Sequence, residues 1–272
     1  MILAERMRHA LPLFDHLEEI NQRISSAEHI ALLLDFDGTI SEIVSNPAEA
    51  KLDPEIRSVL NRLSARRDWS ICIVSGRALA DVRQRVALDR VVYVGNHGLE
   101  IESDSIRFCQ REAEALKSAL QTTVDQLRRA LAGIDGAEVE DKGLTASVHF
   151  RRVAEHLRDQ VHTVTLAVVG NSSHFKCREG KMVLEVRPQV AWHKGHAVTW
   201  IRREILPPHS LPIYVGDDVT DEDAFSVLAE GITVKVGLPG DTKARYCLAD
   251  VAAVTEFLRY LELRQAERSL VH

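Results

Sequence analysis

The chain has 272 residues, 45% hydrophobic and 27% charged, so it has enough apolar material for one large or two modest folded domains. Its formal net charge of −6 excludes the strongly basic proteins whose main task is to bind nucleic acid. A phosphorylated substrate is compatible with this charge, because a local cation can dominate a site.

Compartment and membrane contact are predicted from the cysteines and the apolar runs. Four cysteines are scattered singly, without the spacing of a metal site or a disulfide framework: Cys72, Cys109, Cys177 and Cys247. No apolar run approaches the roughly 18–20 residues that span a bilayer, and the charged N-terminus lacks the apolar segment of a secretion signal. We therefore expect a cytoplasmic protein with reduced thiols and no membrane or nucleic-acid partner.

The first predicted element is an amphipathic helix over residues 1–27. Its apolar residues recur at a spacing of three to four and are Leu11, Phe14, Leu17, Ile20 and Ile24. The simplest interpretation is a face that packs on the rest of the chain. The alternative is a helix that docks on a partner protein.

Residues 28–105 alternate between buried strands and helices. Continuous apolar runs predict strands at 29–34, 69–74 and 91–94. The helix between the first two strands has a strong start, with Asp53 as N-cap and Pro54 at the first helical position. This rhythm predicts an α/β fold with a doubly wound, mainly parallel sheet.

The rhythm changes between residues 106 and 188. The predicted order there is helix, hairpin, helix, hairpin, with Lys142-Gly143 and Glu179-Gly180 as the turns. The α/β pattern then resumes with strands at 211–215 and 232–236. We therefore predict an N-terminal helical extension (1–27), a core domain (28–105 and 189–272) and an inserted α+β domain of αββαββ order (106–188).

The first core strand ends on two carboxylates separated by one residue, Asp35 and Asp37. Alternate side chains of an extended backbone point the same way, so both can face the crevice at the carboxyl end of the strand, where open α/β sheets bind ligands. Two such groups repel each other and are costly to desolvate. A cation is expected between them, and oxygen-only ligands favour Mg²⁺.

Other polar residues follow the remaining core strands, and in a parallel sheet these strand ends lie along one edge. They are Ser75, His97, Glu100, Asp217, Asp218 and Asp221, with Lys194 opening the helix before the last three. Such a set suits phosphoryl transfer, in which one carboxylate attacks phosphorus, a second moves the proton, and Mg²⁺ and Lys194 balance the charge. Ser75 and Thr39 offer hydroxyl donors, and Gly38 and Gly76 leave room for the phosphate.

Four ordered motifs resemble those of the haloacid dehalogenase (HAD) superfamily of phosphatases: Asp35-Phe36-Asp37-Gly38-Thr39, Ser75, Lys194 and Gly216-Asp217-Asp218. The resemblance implies that Asp35 is the nucleophile and Asp37 the general acid and base. It implies that Ser75 and Lys194 hold the phosphate, and that Asp217 binds Mg²⁺ with Asp35 and the Asp37 carbonyl. Asp221 would be a further acidic residue near the metal, and which of Asp217, Asp218 and Asp221 are direct ligands stays open. The insert resembles the type C2 cap domain.

A finer resemblance, to trehalose-6-phosphate phosphatases, covers the chain from residue 30 to about 240. The segments that carry it are Asn96-His97-Gly98-Leu99-Glu100, Glu140-Asp141-Lys142-Gly143, His149-Phe150-Arg151, Leu184-Glu185-Val186-Arg187-Pro188 and Gly216-Asp217-Asp218-Val219-Thr220-Asp221-Glu222-Asp223-Ala224-Phe225. It implies a Mg²⁺-dependent phosphatase acting on trehalose 6-phosphate, with Glu140, Lys142 and Glu185 on the sugar hydroxyls. His97, Glu100 and Arg187 are further candidates for substrate contacts.

Other functions compete with this interpretation. A related HAD sugar phosphatase would act on sucrose 6-phosphate or mannosyl-3-phosphoglycerate. A signalling receiver domain also places a strand-end aspartate, a hydroxyl and a lysine around Mg²⁺, but Asp37 and the insert argue against it. A non-catalytic partner of a trehalose-phosphate synthase, docking through residues 1–27, is disfavoured by the intact acidic residues, whereas contact between an active phosphatase and such a synthase is kept as an expectation.

Several candidates also have simpler structural interpretations. Arg77 would contact the phosphate or cap the helix that follows it. Two pairs of candidates in the insert lie two residues apart on a strand and would form surface ion pairs: Glu140 with Lys142, and Glu185 with Arg187. His193 and His196 flank Lys194 and are expected to start the helix or lie at the surface rather than bind metal.

Overall fold

The computed structural model describes residues 8–238 and 240–269. The chain divides into two compact units, which we call the core unit (Met1–Arg107 and Trp192–His272) and the insert unit (Phe108–Ala191). The insert predicted from the sequence covers residues 106–188. Among the described residues, no helix has both the length and the hydropathy that crossing a membrane requires.

The elements follow one another in the predicted α/β rhythm, interrupted once by the insert. Up to the insert they are β1 (Arg8–His9), β2 (Leu11–Pro12), α1 (Leu17–Ser26), β3 (Ile30–Asp35), α2 (Pro54–Ser64), β4 (Trp69–Val74), α3 (Leu79–Val86), β5 (Val91–Gly95), β6 (Glu100–Glu102) and β7 (Arg107–Cys109). The insert contributes α4 (Arg111–Ala115), α5 (Lys117–Leu131), β8 (Glu138–Asp141), β9 (Ala146–His149), α6 (Glu155–Gly170), β10 (Phe175–Gly180) and β11 (Val183–Pro188). The chain continues with α7 (Lys194–Glu204), β12 (Leu211–Gly216), α8 (Glu222–Val227), β13 (Ile232–Val236), β14 (Asp241–Thr242), β15 (Tyr246–Leu248) and α9 (Val251–Ser269).

The main sheet of the core unit has the order β2-β15-β13-β12-β3-β4-β5-β6-β7. The strands from β2 to β5 in this order pair in parallel, and β6 pairs antiparallel with β5. From β3 the chain moves outward to β4 and β5, and it later returns to the other side of β3 as β12 and β13. The strand order therefore reverses between β3 and β12, which is the position where open α/β sheets bind ligands. The predicted doubly wound, mainly parallel sheet is confirmed.

The central strand β3 is buried over its whole length, as its continuous apolar run predicts. It pairs with β12 on one side and β4 on the other, with Leu34 opposite Val215 and Asp35 opposite Val74. Helix α2 begins as predicted, because the Asp53 carboxylate accepts a hydrogen bond of 2.7 Å from the Glu55 N–H and Pro54 is the first helical residue. This register places the polar residues after β3, β4, β5 and β12 along one edge of the sheet.

The predicted N-terminal helix over residues 1–27 is wrong for residues 8–12, and residues 1–7 lie outside the described part. Strand β1 pairs with β14, and β2 pairs with β15. Pro12 has no backbone N–H to donate and disfavours the helical conformation of Leu11, which explains why the helix begins later. In α1, Ile20 and Ile24 are fully buried in the core cluster, so this stripe packs on the chain's own core.

The insert unit is a four-stranded antiparallel sheet of order β10-β11-β9-β8 with helices α5 and α6. Leu127 of α5, Val161 of α6 and Val148 of β9 belong to one buried apolar cluster. The element order from α5 to β11 is the predicted helix-strand-strand repeat, which agrees with an α+β insert of the HAD cap type.

Candidate active site

The centre of the site is a buried lysine between two carboxylates. Lys194 Nζ donates to Asp35 Oδ1 at 2.6 Å and to Asp221 Oδ1 at 2.7 Å, and Lys194 is only 2% exposed. Burial by itself would lower the pKa of Lys194, but the Asp221 and Asp35 carboxylates outweigh it and raise this pKa well above its ordinary value. The ammonium is therefore charged at neutral pH and fixes Asp35, the last residue of β3.

Helix α7 presents Lys194 from its first position. The His193 ring Nδ1 accepts a hydrogen bond of 3.1 Å from the Gly195 N–H, which caps the helix. The expectation that His193 starts the helix is confirmed. The centroid of the His196 ring lies 3.9 Å from the centroid of the His193 ring, and the His196 ring stacks on Trp192. These three rings form one aromatic cluster.

Asp221 is held in place by three groups besides any metal. It is fully buried, accepts from Lys194 and from Tyr214 Oη at 2.8 Å, and its Oδ2 accepts from the Asp218 N–H at 2.9 Å. Burial and the Asp221 carboxylate raise the pKa of Tyr214 well above its ordinary value, so the phenol keeps its proton and donates. Tyr214 was missed by sequence reasoning, although a hydroxyl inside the apolar strand β12 was a usable signal.

Three carboxylates converge closely enough to share a cation. Among the described residues, oxygens of Asp35, Asp217 and Asp221 lie within 4.8 Å of one another, and this group includes neither Asp37 nor Asp218. The Asp218 carboxylate instead accepts from Thr220 Oγ1 at 3.0 Å and takes part in a capping box with Asp221. Of the five residues predicted at the metal site, the structure brings together the carboxylates of three, whereas the prediction for Asp37 concerned its backbone carbonyl.

The donor set fits a hard divalent cation. Burial raises the pKa of Asp35 well above its ordinary value, the neighbouring Asp221 and Asp217 carboxylates act in the same direction, and Lys194 opposes them. Three carboxylates against one contacting ammonium leave excess negative charge, and oxygen-only ligands are those that Mg²⁺ prefers. A cation at Asp35, Asp217 and Asp221 would favour the ionised form of Asp35.

The turn after Asp37 is built around a glycine that no other residue can replace without collision. Gly38 has a φ of +80°, and a Cβ added there would lie 2.3 Å from Asp217 Oδ2. Its N–H donates to the Ser41 carbonyl at 2.7 Å, so Gly38 contributes space rather than a free donor. Thr39 Oγ1 beside it is fully buried and has no hydrogen-bond partner among the described residues.

The loops after β4 and β5 are joined by backbone hydrogen bonds. The Asn96 N–H donates to the Arg77 carbonyl at 2.7 Å and the His97 N–H to the Ser75 carbonyl at 2.9 Å. A Cβ on Gly76 would lie 2.3 Å from the His97 ring, so the glycine admits this imidazole. The structure therefore brings His97 next to the predicted phosphate-binding residues Ser75 and Gly76.

Two other predicted residues of this region have partners inside the protein. The Glu100 carboxylate accepts from Asn96 Nδ2 at 2.7 Å. The Arg77 guanidinium donates to both oxygens of Asp37 and to Asp81, whereas only its backbone N–H donates to Ser75 Oγ, at 3.1 Å. Helix α3 has Ala78 as its N-cap without a side-chain hydrogen bond, so Arg77 does not cap it.

In the insert unit, two of the predicted sugar-binding residues, Glu140 and Glu185, lie on one face of the sheet. Glu140 of β8 and Glu185 of β11 both have Ser147 of β9 as their cross-strand partner, so their side chains project to the same side. Glu140 contacts His149 Nε2 at 2.8 Å. Glu185 forms an ion pair with Arg187, as predicted, but both side chains are largely buried and not at the surface. The Lys142 N–H closes the turn on the Thr145 carbonyl at 2.9 Å.

Solved structures with the same fold place the chain in a class. It superposes on a haloacid dehalogenase-like hydrolase from Bacteroides thetaiotaomicron with a TM-score of 0.60 at 12% identity, over 86% of this chain and 99% of that chain. The C-terminal domain of a C. albicans trehalose-6-phosphate phosphatase gives a TM-score of 0.79 at 22% identity, over 95% and 99%. At these identities the likeness establishes the fold alone. The chain therefore has the fold of haloacid dehalogenase-like hydrolases.

Sequence comparison identifies the family. Residues 33–248 match the family model described as trehalose-phosphatase. Trehalose-phosphate phosphatase B from Arabidopsis thaliana is 34% identical over 273 residues, which cover 94% of this chain and 71% of the relative. The chain belongs to the trehalose-phosphatase family, and it is an enzyme of the phosphatase class.

We expect Gly38→Ala to lower both stability and activity, because the new Cβ would displace Asp217. Gly143 provides a matched control for stability, since its φ of +82° is nearly the same and no described atom lies within 4 Å of the added Cβ. The melting temperature should fall further for Gly38→Ala than for Gly143→Ala, by the equivalent of about 1–3 kcal/mol of overpacking. Equal melting temperatures for the two variants would contradict the collision.

Proposed function

We propose that this enzyme hydrolyses trehalose 6-phosphate to trehalose and inorganic phosphate, in a Mg²⁺-dependent reaction through an aspartyl-phosphate on Asp35. The observation that carries the proposal is the buried contact of Lys194 with Asp35 and Asp221 at the strand end where β3 and β12 meet. Family membership supports the substrate.

Asp35 is proposed as the nucleophile. One of its carboxylate oxygens forms a bond to phosphorus while the bond from phosphorus to the sugar oxygen breaks. Lys194 fixes the carboxylate and offers positive charge to the transferring phosphoryl group. The Ser75 hydroxyl and the unpartnered, buried Thr39 hydroxyl are the proposed donors to the phosphate oxygens.

Asp37 is proposed as the group that moves the proton. Its side chain is 41% exposed, so water and the departing sugar oxygen can reach it. In the first step Asp37 gives its proton to the sugar oxygen, and in the second it takes one from the water that attacks phosphorus. The second step releases inorganic phosphate and restores Asp35 as a free carboxylate.

Asp35, Asp217 and Asp221 are the residues proposed to hold Mg²⁺, because their oxygens already lie within reach of a single ion. The Asp37 carbonyl and Asp218 are proposed as further Mg²⁺ ligands only because the HAD motifs imply them. When bound, the cation would neutralise negative charge on the phosphoryl oxygens and lower the repulsion between phosphate and nucleophile.

The insert unit is proposed to select the sugar. Glu140, Lys142 and Glu185 are the charged donors and acceptors offered to sugar hydroxyls, with Arg187, His97 and Glu100 as further candidates. Glu140 and Glu185 project from the same face of one rigid sheet, which supports a shared role. A lid that opens and closes would admit the substrate and exclude bulk water between the two steps.

Removing the Glu140 charge should weaken recognition of the sugar and leave the chemistry intact. We expect Glu140→Gln to lower kcat/KM for trehalose 6-phosphate by roughly 10- to 100-fold, the worth of one charged hydrogen bond. Hydrolysis of p-nitrophenyl phosphate, which has no sugar, should change little.

Glu138→Gln is the matched control for this prediction. Glu138 lies on the same strand and forms an exposed ion pair with Arg152. If Glu140→Gln and Glu138→Gln behave alike towards trehalose 6-phosphate, Glu140 does not bind the sugar.

The proposed function is tested by phosphate release from a panel of trehalose 6-phosphate, sucrose 6-phosphate, mannosyl-3-phosphoglycerate and glucose 6-phosphate, with Mg²⁺ or with EDTA. We expect the highest kcat/KM for trehalose 6-phosphate and restoration of the EDTA-treated enzyme by Mg²⁺. Preference for another sugar phosphate would replace the substrate assignment. Full activity in EDTA would overturn the metal assignment.

We also propose that the enzyme acts in the cytoplasm and contacts a trehalose-phosphate synthase. The four cysteines are free in the structure, which suits a reducing compartment. The buried stripe of α1 packs on the enzyme's own core, so contact with a synthase would have to use another surface.

A further inference from the structure

We propose that Arg77 is a positioning residue for Asp37: it fixes the direction in which Asp37 delivers its proton and does not bind the transferring phosphate. This inference rests on the proposed function, which makes Asp37 the proton donor. It replaces the expectation, drawn from the sequence, that Arg77 contacts phosphate.

The contact between the two side chains is bidentate. Arg77 Nε donates to Asp37 Oδ2 at 2.8 Å and Nη2 donates to Asp37 Oδ1 at 2.7 Å. Paired parallel hydrogen bonds of this kind fix the plane of the carboxylate as well as its distance. Arg77 uses one lone-pair site on each Asp37 oxygen, so each oxygen keeps another site for a proton.

The remaining donors of Arg77 are also committed inside the protein. Nη1 donates to Asp81 Oδ2 at 2.9 Å, and Nη2 donates a second time to the Pro47 carbonyl at 3.0 Å. Four of the five guanidinium N–H groups therefore have protein acceptors. With its side chain only 9% exposed, Arg77 has little left to offer a phosphate.

Arg77 is itself held rigidly from its other side. Asp81 of α3 accepts from Arg85 Nε at 2.9 Å, and Arg85 Nη1 donates to the Ala48 and Ala50 carbonyls at 3.0 and 2.7 Å. The Arg77 guanidinium also lies 5.4 Å from the centroid of the Phe36 ring. The chain of contacts runs from helix α3 and the turn at 47–50 to Asp37.

This rigidity matters because Asp37 has no other anchor among the described residues. The Asp37 side chain is 41% exposed, and among the described residues its carboxylate accepts hydrogen bonds from Arg77 alone. Without Arg77 the carboxyl group would rotate into solvent, and proton transfer depends on the donor lying within hydrogen-bond reach of the leaving oxygen. A residue that binds the phosphate would behave differently, because its loss would weaken the binding of every phosphate ester equally.

The test compares two leaving groups in single turnovers with enzyme in excess, which report only the first chemical step. Trehalose needs a proton to leave, whereas p-nitrophenolate departs without one. We expect Arg77→Gln to slow trehalose release by roughly 100- to 1,000-fold and nitrophenolate release by no more than about threefold, the pattern of a lost general acid. Inhibition by inorganic phosphate should be unchanged.

Controls separate positioning from loss of structure. Arg83 lies on the same helix α3 and forms an exposed ion pair with Glu102, so Arg83→Gln should leave both rates unchanged. Asp81→Asn keeps the charge of Arg77 but holds its side chain less firmly. We expect this variant to slow trehalose release selectively, by a smaller factor than Arg77→Gln. This second variant carries the test if Arg77→Gln melts below the assay temperature.

Two results would overturn the inference. Equal slowing of both leaving groups, with weaker inhibition by phosphate, would make Arg77 a phosphate ligand. Normal trehalose release by both Arg77→Gln and Asp81→Asn would remove any role. The proposed function fails separately, if the unmodified enzyme does not release trehalose or if Asp37→Asn releases it normally.

Discussion

Asp35→Asn is expected to lower phosphate release from trehalose 6-phosphate by about four orders of magnitude or more, because it removes the atom that attacks phosphorus. The amide keeps the size of the side chain, so the fold should survive. It cannot form the acyl phosphate, and the neighbouring Lys194 then faces a neutral group. The measurement is steady-state phosphate release together with the melting temperature.

Asp68→Asn is the matched control for the nucleophile. Asp68 lies at the amino end of β4, opposite to the end that carries the proposed site, and forms a partly exposed ion pair with Arg66. The activity of the Asp68→Asn variant should equal that of the unmodified enzyme. Full activity of a folded Asp35→Asn variant would show that another group attacks phosphorus.

Lys194→Met is expected to lower both activity and stability. The ammonium is almost fully buried and contacts the Asp35 and Asp221 carboxylates, and its pKa lies well above the ordinary value, so it is charged when the enzyme works. Removing one partner of a buried ion pair leaves uncompensated charge and costs about 3–5 kcal/mol. Phosphate release should fall by roughly 1,000-fold, since the charge that fixes the nucleophile is gone.

The effect of Lys194→Met should be measured against Lys51→Met, at an exposed loop position. We expect Lys51→Met to keep the melting temperature and the activity of the unmodified enzyme. If Lys194→Met is as stable as Lys51→Met, the ion pairs at Lys194 contribute nothing to the stability of the fold. If Lys194→Met is as active as Lys51→Met, Lys194 has no part in the reaction.

Much of the fold was predictable because its signals are local. The mainly apolar runs of β3, β4, β5 and β12 indicate buried strands, and their carboxyl ends must meet at one edge of a parallel sheet. Asp35, Lys194 and Asp221 converge for that reason. The prediction of an N-terminal helix was wrong for residues 8–12, because the effect of a single proline, Pro12, outweighed a stripe of well-spaced apolar residues.

The partners of individual side chains were not predictable in this way. Arg77 follows a strand like a phosphate ligand, yet it turns to Asp37 and Asp81, because the position of Asp81 depends on how helix α3 sits against the turn at 47–50. The Tyr214 hydroxyl inside the apolar strand β12 indicates a buried polar group, but its partner Asp221 could not be predicted from the sequence. The left-handed backbone of Asn96 and His97, with φ of 49° and 57°, is likewise set by contacts between loops.

The central claim, phosphoryl transfer from trehalose 6-phosphate to Asp35, is tested most directly by trapping the intermediate. Enzyme mixed with trehalose 6-phosphate carrying a ³²P label is quenched in acid during turnover, digested, and mapped by peptide. We predict that the label lies on the peptide containing Asp35 and is absent from the Asp35→Asn variant. Label on another residue, or rapid turnover with no trapped label at any quench time, would contradict the account.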